Sequence, residues 1–182
     1  MVQVIDGLII LKKIIDETGF SYLWLQQTIS PKEVSAICQI LHNQALQNIN
    51  SSANVSGKGR TYIYLKSSWE MEHYLTTLDF NKTYAILRFR TGNHKFPIEL
   101  GRHIGLRTDE RRCPHCVNNA VGDEFHYLLE CRKSTKERKK YINEKYLKRP
   151  NMFKYFQLMN TKDHAELCKL GTFIALLIKN VH

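Results

Sequence analysis

One short segment constrains this chain more than any other: Cys113-Pro114-His115-Cys116, nine intervening residues, His126, four more, then Cys131. Three thiols and an imidazole so close in sequence are the donors a tetrahedral zinc ion takes, and a Cys-x-x-Cys bend delivers two of them from one turn. The second pair is harder to arrange. Residues five apart lie about 140° around an ideal helix at roughly 100° per residue, so an unbroken α-helix cannot aim both His126 and Cys131 at one ion. The flanking residues supply a break. Gly122-Asp123 offers an N-cap that puts His126 in a first helical turn, and Ser134-Thr135-Lys136-Glu137 is a capping box opening a separate helix. Cys131 is therefore expected at the junction between them. With four protein donors the zinc would have no open position, so it would be structural rather than catalytic. His115 competes with His126 as a donor, but its adjacency to Cys116 makes joint ligation awkward. His94 and His103 are expected to face solvent, and Cys38 and Cys168 to be small core residues. The alternative to a metal site is a set of free thiols beside an ordinary histidine.

Elsewhere the pattern is helical. Val4, Leu8, Leu11 and Ile15 recur at helical steps before Gly19, a C-cap candidate, and Ser30-Pro31-Lys32-Glu33 is a capping box with proline at the first helical position. The helix it opens should run to about Gln47, whereas Phe20 to Leu25 reads as a short strand or packed connector. Asn48 to Arg60 reads as a loop and the best internal boundary. A helical stretch follows around Trp69 to Leu78, then a helix capped by Asp79 or Asn81 that stops near Thr91-Gly92. His94 to Arg112 shows no helical period. Past the cysteine segment come a helix ending before Pro150 and a last one whose stripe is Leu167, Leu170, Ile174, Leu177 and Val181. The expected fold is mostly α, a helical domain with a small zinc knuckle between helices. Its parts are an N-terminal helical region (1–50), a linker loop (51–60), helices with an irregular lead-in (61–112), the zinc segment and basic helix (113–149), and a C-terminal helix (150–182).

Charge narrows the partners. Lys and Arg number 27 against 17 Asp and Glu, a formal net charge of +10, and a surplus of that size favours polyanions. Between Cys131 and Arg149 there are nine basic residues (Arg132, Lys133, Lys136, Arg138, Lys139, Lys140, Lys145, Lys148 and Arg149) against Glu137 and Glu144. Such a run suits phosphate neutralisation, and Tyr141 and Tyr146 could stack on bases or belong to the core. Phosphate contacts would position the protein without reading sequence. Five cysteines, three of them clustered, do not look like a secreted disulfide scaffold. The N-terminus is a poor signal peptide, and the longest apolar run, Gly171 to Ile178, is far short of the ~18 residues that suggest a membrane span. A reducing intracellular setting is expected, without membrane insertion, and nuclear residence is compatible with the basic run.

Several runs together resemble a known family. They are Leu87-Arg88-Phe89-Arg90-Thr91-Gly92-Asn93-His94-Lys95-Phe96-Pro97-Ile98-Glu99-Leu100-Gly101-Arg102, then Arg111-Arg112-Cys113-Pro114-His115-Cys116, and Asp123-Glu124-Phe125-His126-Tyr127-Leu128-Leu129-Glu130-Cys131. They resemble the C-terminal tails of invertebrate non-LTR retrotransposon reverse transcriptases, which carry a Cys-Cys-His-Cys zinc segment beyond the polymerase. The resemblance implies that Cys113, Cys116, His126 and Cys131 are the zinc ligands and that the segment helps to bind template nucleic acid. Gly122 departs from the acidic residue usual there. The six aspartates include no adjacent pair in a strand-turn setting, as a two-metal polymerase centre would need, and there is no glycine-rich phosphate loop. The expectation is a non-enzymatic zinc module contacting RNA or DNA through Arg88, Arg90, Arg102, Arg111, Arg112, Arg132, Lys133, Lys136, Lys139 and Lys140. The alternatives are a zinc-braced protein adaptor with a partner face on the C-terminal helix at Leu170, Ile174 and Leu177, a nuclease using His94, His103 or His115 as base, and an orphan retroelement fragment without selected function.

Overall fold

A computed structural model describes residues 2–55, 61–66 and 70–180. The described residues form helices and no strand; one isolated antiparallel bridge joins Arg112 and Val121. The chain divides into two compact units, Met1–Ser52 and Ala53–His182.

In the first unit α1 (Val2–Glu17) ends where Gly19 takes φ +83° and the Phe20 N–H reaches back to the Ile15 carbonyl at 2.9 Å. A left-handed glycine lets this bond form without a Cβ clash. The aromatic stretch that could have been a strand or connector is a short helix, α2 (Tyr22–Gln26). The Ser30 capping box forms in both directions: the Ser30 N–H donates to Glu33 at 2.7 Å, and the Glu33 N–H donates to Ser30 Oγ at 3.3 Å. It opens α3 (Pro31–Val55). Asn48 to Val55, whose composition predicts a loop, is helical. Asn and Ser lower helix propensity by only tenths of a kcal/mol, roughly 0.5–0.7 per residue, and the first true breaker is Gly57; residues 56–60 of the expected linker lie outside the described residues. Ile15, Leu23 and Ile37 form the small core of this unit. Cys38, expected in a core, is exposed because it lies one step round α3 from the buried Ile37.

The second unit begins with α4 (Tyr62–Leu65) and α5 (His73–Thr77); Trp69 lies outside the described residues. Asp79 Oδ1 accepts the Lys82 N–H at 3.1 Å and so caps α6 (Phe80–Arg90). The lead-in expected to be irregular contains α7 (Pro97–His103), started by proline at its first position. The helix expected to run up to Pro150 breaks at Ile142 into α8 (Thr135–Tyr141) and α9 (Glu144–Leu147), because the Asn143 side chain caps a new start at Lys145 N. The Ser134 capping box does not form: Ser134 lies in a 3-10 turn and makes no cap bond. Residues 150–182, read as one helix, hold α10 (Met152–Met159) and α11 (His164–Asn180).

Helices α6 and α11 pack directly on one another. Leu167, Leu170, Phe173, Ile174 and Leu177 of α11 are buried in one core with Ala85, Ile86 and Phe89 of α6. Leu170, Ile174 and Leu177 are therefore core residues, not the exposed partner face that the adaptor alternative needs; Val181 lies outside the described residues. Arg90, expected among the nucleic-acid contacts, is 1% exposed. Its guanidinium donates to the Met159 carbonyl at 3.0 Å and the Leu65 carbonyl at 3.3 Å and pairs with Glu72 at 3.2 Å. It is an internal clamp, so it is withdrawn from the nucleic-acid contacts. Among the described residues no helix is long and apolar enough to cross a membrane.

The crossing of α6 and α11 is tight at Gly171, where a Cβ would stand 2.8 Å from Lys82 Cβ. Replacing Gly171 with valine should force the two helices apart and lower stability by about 1–3 kcal/mol, seen as a lower urea midpoint; an unchanged midpoint would show that the contact is loose.

Candidate metal centre

The cysteine segment is held at its base by backbone bonds. On either side of the Arg112–Val121 bridge, the Cys113 N–H donates to the Ala120 carbonyl and the Gly122 N–H to the Arg111 carbonyl, both at 2.8 Å. Gly122 has a packing reason: a Cβ there would meet the Pro97 ring at 2.7 Å. Asp123 Oδ1 then accepts the His126 N–H at 2.8 Å, so the expected cap is present and His126 sits in the first turn.

The turn that follows is not α-helical. His126–Glu130 forms a π-helical turn, closed by the Cys131 N–H donating to the His126 carbonyl at 2.7 Å. An i→i+5 bond brings residues five apart to nearly the same side, which solves the angular problem posed by the spacing. Cys131, at φ −53° and ψ 127°, ends the turn and sits at the junction before α8.

The donor atoms of Cys113, Cys116, His126 and Cys131 all lie within 4.8 Å of one another. The Sγ of Cys131 is 3.8 Å from that of Cys113 and 4.0 Å from that of Cys116, and all three cysteines are free; a disulfide would need about 2.0 Å. His126 is only 3% exposed, yet neither ring nitrogen has a hydrogen-bond partner. Glu130 Oε2 stands 3.5 Å from Nδ1, at the edge of useful range. Burying an imidazole without partners is costly. A metal ion on one nitrogen would satisfy it, with the Glu130 carboxylate placed to orient the other. The donor set therefore fits a metal ion.

Burial pushes the Cys131 thiol up from 9.0 to about 12, with the neighbouring Cys113 adding to the rise and the Lys133 backbone N–H opposing it. Burial, followed by the contact with Cys113, likewise raises the Tyr127 phenol, whose oxygen lies 3.6 Å from Cys113 Sγ.

Three supporting residues were not singled out from the sequence as part of the site. Arg138, counted there in the basic run, is buried: Nε donates to the Leu128 carbonyl at 2.9 Å, and Nη2 donates to Tyr127 at 3.2 Å and Cys131 at 2.6 Å. It ties α8 to two carbonyls of the π-helical turn and to that of Cys131, which also accepts the Ser134 N–H at 3.4 Å. His94, expected in solvent, is buried with Nε2 3.0 Å from Glu124 Oε1, while Nδ1 accepts the Phe96 N–H at 3.4 Å. That pair ties the chain before α7 to the turn carrying His126.

Among the other histidines, His103 is exposed as expected, and His115 is exposed beside Lys133 Nζ at 3.3 Å, outside the donor cluster. Cys168 is half-buried, 3.8 Å from His164 Nε2, and is not a core residue.

The basic residues separate by position. Lys136, Lys139 and Lys140 share the exposed side of α8, with Arg132 and Lys133 just before it and Arg112 exposed beside the bridge. Lys133 also donates to the Asn180 carbonyl at 2.9 Å. Arg102 pairs with the buried Glu99 at 3.1 Å, Arg111 donates to the Ile98 and Leu106 carbonyls, and Arg88 lies over the Tyr84 ring. Tyr146 is buried, donating to Glu166, and Tyr141 stacks on Phe173, so both belong to the core. Comparison of the chain with protein-family models, curated proteins and solved structures gives no match.

Metal analysis of the purified chain should find one ion per molecule, and Cys113→Ser should bring it close to zero; an unchanged content would exclude the cluster as the site. Because Cys131 has its ordinary titration raised, it is a neutral thiol throughout the physiological range, and metal entry must displace its proton. Apparent metal affinity should therefore rise with pH between 6 and 8, roughly ten-fold per unit for each proton released, as read by competition with a chelator; a flat profile would contradict this linkage.

Proposed function

We propose that the protein is a zinc-braced, non-catalytic module that binds nucleic acid through the outer face of α8. Zinc is favoured by the donor chemistry. Zinc–sulfur bonds of about 2.3 Å imply a tetrahedral sulfur–sulfur edge of about 3.8 Å, close to the 3.8 and 4.0 Å separations at Cys131. Four protein donors leave no position for a reacting water, so the ion would hold the fold and do no chemistry.

The observation that carries the nucleic-acid reading is the way α8 is mounted. Its inner side holds Arg138, bonded at 2.6 Å to the carbonyl of the ligand Cys131, and its outer side presents Lys136, Lys139 and Lys140. The brace thus orients a cluster of exposed ammonium groups suited to phosphates. The resemblance to retroelement tails points to the same ligand class. A protein-interaction adaptor is the second reading, supported by the exposure of Leu8, Ile9, Ile10 and Leu11 on α1.

Fluorescence anisotropy with a labelled oligonucleotide across a salt series tests the proposal. Affinity should fall steeply with salt, and Lys139→Glu with Lys140→Glu should weaken binding and flatten the salt slope by roughly one to two phosphate contacts. Binding that is absent at low salt, or indifferent to salt, would refute it.

A further inference from the structure

The second unit carries an exposed aromatic column that the basic helix does not explain. Phe80, Tyr84 and Arg88 sit at i, i+4 and i+8 on α6 and so share one face. The Phe80 and Tyr84 rings are stacked, with centroids 5.9 Å apart and planes 6° from parallel, and the Arg88 guanidinium lies over the Tyr84 ring at 5.6 Å. Phe80 is 78% exposed and Tyr84 48%. This is not core in waiting, because the opposite side of α6 already supplies Ile86 and Phe89 to the core. Arg88 is held at the foot of the column by its Nε bond to the Asn93 carbonyl at 2.8 Å. The helix contains no acidic residue, and the capping Asp79 is engaged by Lys82.

We infer that Phe80 and Tyr84, backed by Arg88, form a stacking platform for the unpaired bases of a single-stranded nucleic acid. The open face of Phe80 is a planar, apolar surface of the size a base covers. The guanidinium behind Tyr84 adds cation–π support and positive charge next to where a backbone phosphate would run. An apolar protein segment would gain little from a flat column that ends in a charge on an acid-free helix of a strongly basic chain. Bases in a duplex are already stacked on each other, so the platform selects single strands and tolerates any sequence. The inference rests on the nucleic-acid reading and adds to it the class of strand and a second set of contacts.

The test compares three labelled probes against the full metal-loaded chain: a short oligothymidylate, a strand of equal length with abasic sites in place of the bases, and a duplex. The oligothymidylate should bind more tightly than the abasic strand, roughly five-fold or more for each ring engaged, and more tightly than the duplex. Phe80→Ala with Tyr84→Ala should abolish that preference while leaving the salt slope unchanged, and Phe80→Trp, with Tyr84 left in place, should keep it. Both rings are exposed, so an unchanged thermal melt confirms that the variants fold. Equal affinity for the base-bearing and abasic strands, or a double variant that keeps the preference, would overturn the platform and leave phosphate binding by α8 standing. Loss of binding to all three probes would instead sink the nucleic-acid reading itself.

Discussion

The hydrogen bond from the Cys131 N–H to the His126 carbonyl governs the architecture of the site. It closes an i→i+5 turn, and that wider turn brings a histidine and a cysteine five residues apart to one side of the backbone. An α-helical bond pattern over the same residues would turn the sulfur away from the imidazole. Arg138 reaches back from α8 to the Tyr127 and Leu128 oxygens of the wider turn and to the carbonyl of Cys131 that ends it. The Cys/His cluster, π-helical turn and basic helix are therefore one mechanical unit. The arginine that supports the turn also fixes which way the lysines of α8 face.

The basic residues do two different jobs, and the chemistry of the side chains separates them. Arg90, Arg111 and Arg138 point inward or across loops, where a planar fork of donors can serve several carbonyls at once. Lys136, Lys139 and Lys140 face outward, as a strongly hydrated ammonium prefers. A net charge of +10 thus overstates the surface available to a polyanion, since part of it is spent holding the second unit together. What remains on the outside includes Lys136, Lys139 and Lys140 together on one side of α8.

Where local signals act alone, they are legible in the sequence. The Ser30 capping box, the Gly19 helix stop, the Asp79 and Asp123 caps and the stripe on α11 all arise from side chains bonding to, or repeating along, their own segment. Reading failed where a weak local preference was taken as decisive, as at residues 48–55 and the Ser134 capping box, or where it met a decisive distant contact. Residues 48–55 stay helical because nothing in them breaks a helix, and α7 forms with only seven residues while Pro97 packs on Gly122. His94 looked like a surface residue because its partner Glu124 lies thirty positions away.

The sequence by itself determined which four side chains form a cluster able to hold a metal ion, that helices would dominate, and that the chain would carry excess positive charge. These follow from residue identity, short spacings and periodicity, which need no knowledge of the rest of the chain. Only the tertiary structure decided that the second donor pair is set by a π-helical turn, that Arg90 and Arg138 are buried supports, and that Phe80 and Tyr84 remain on the surface. Each of those outcomes depends on which carbonyls and core faces arrive from remote segments, and a side chain's own neighbours in sequence carry no record of that.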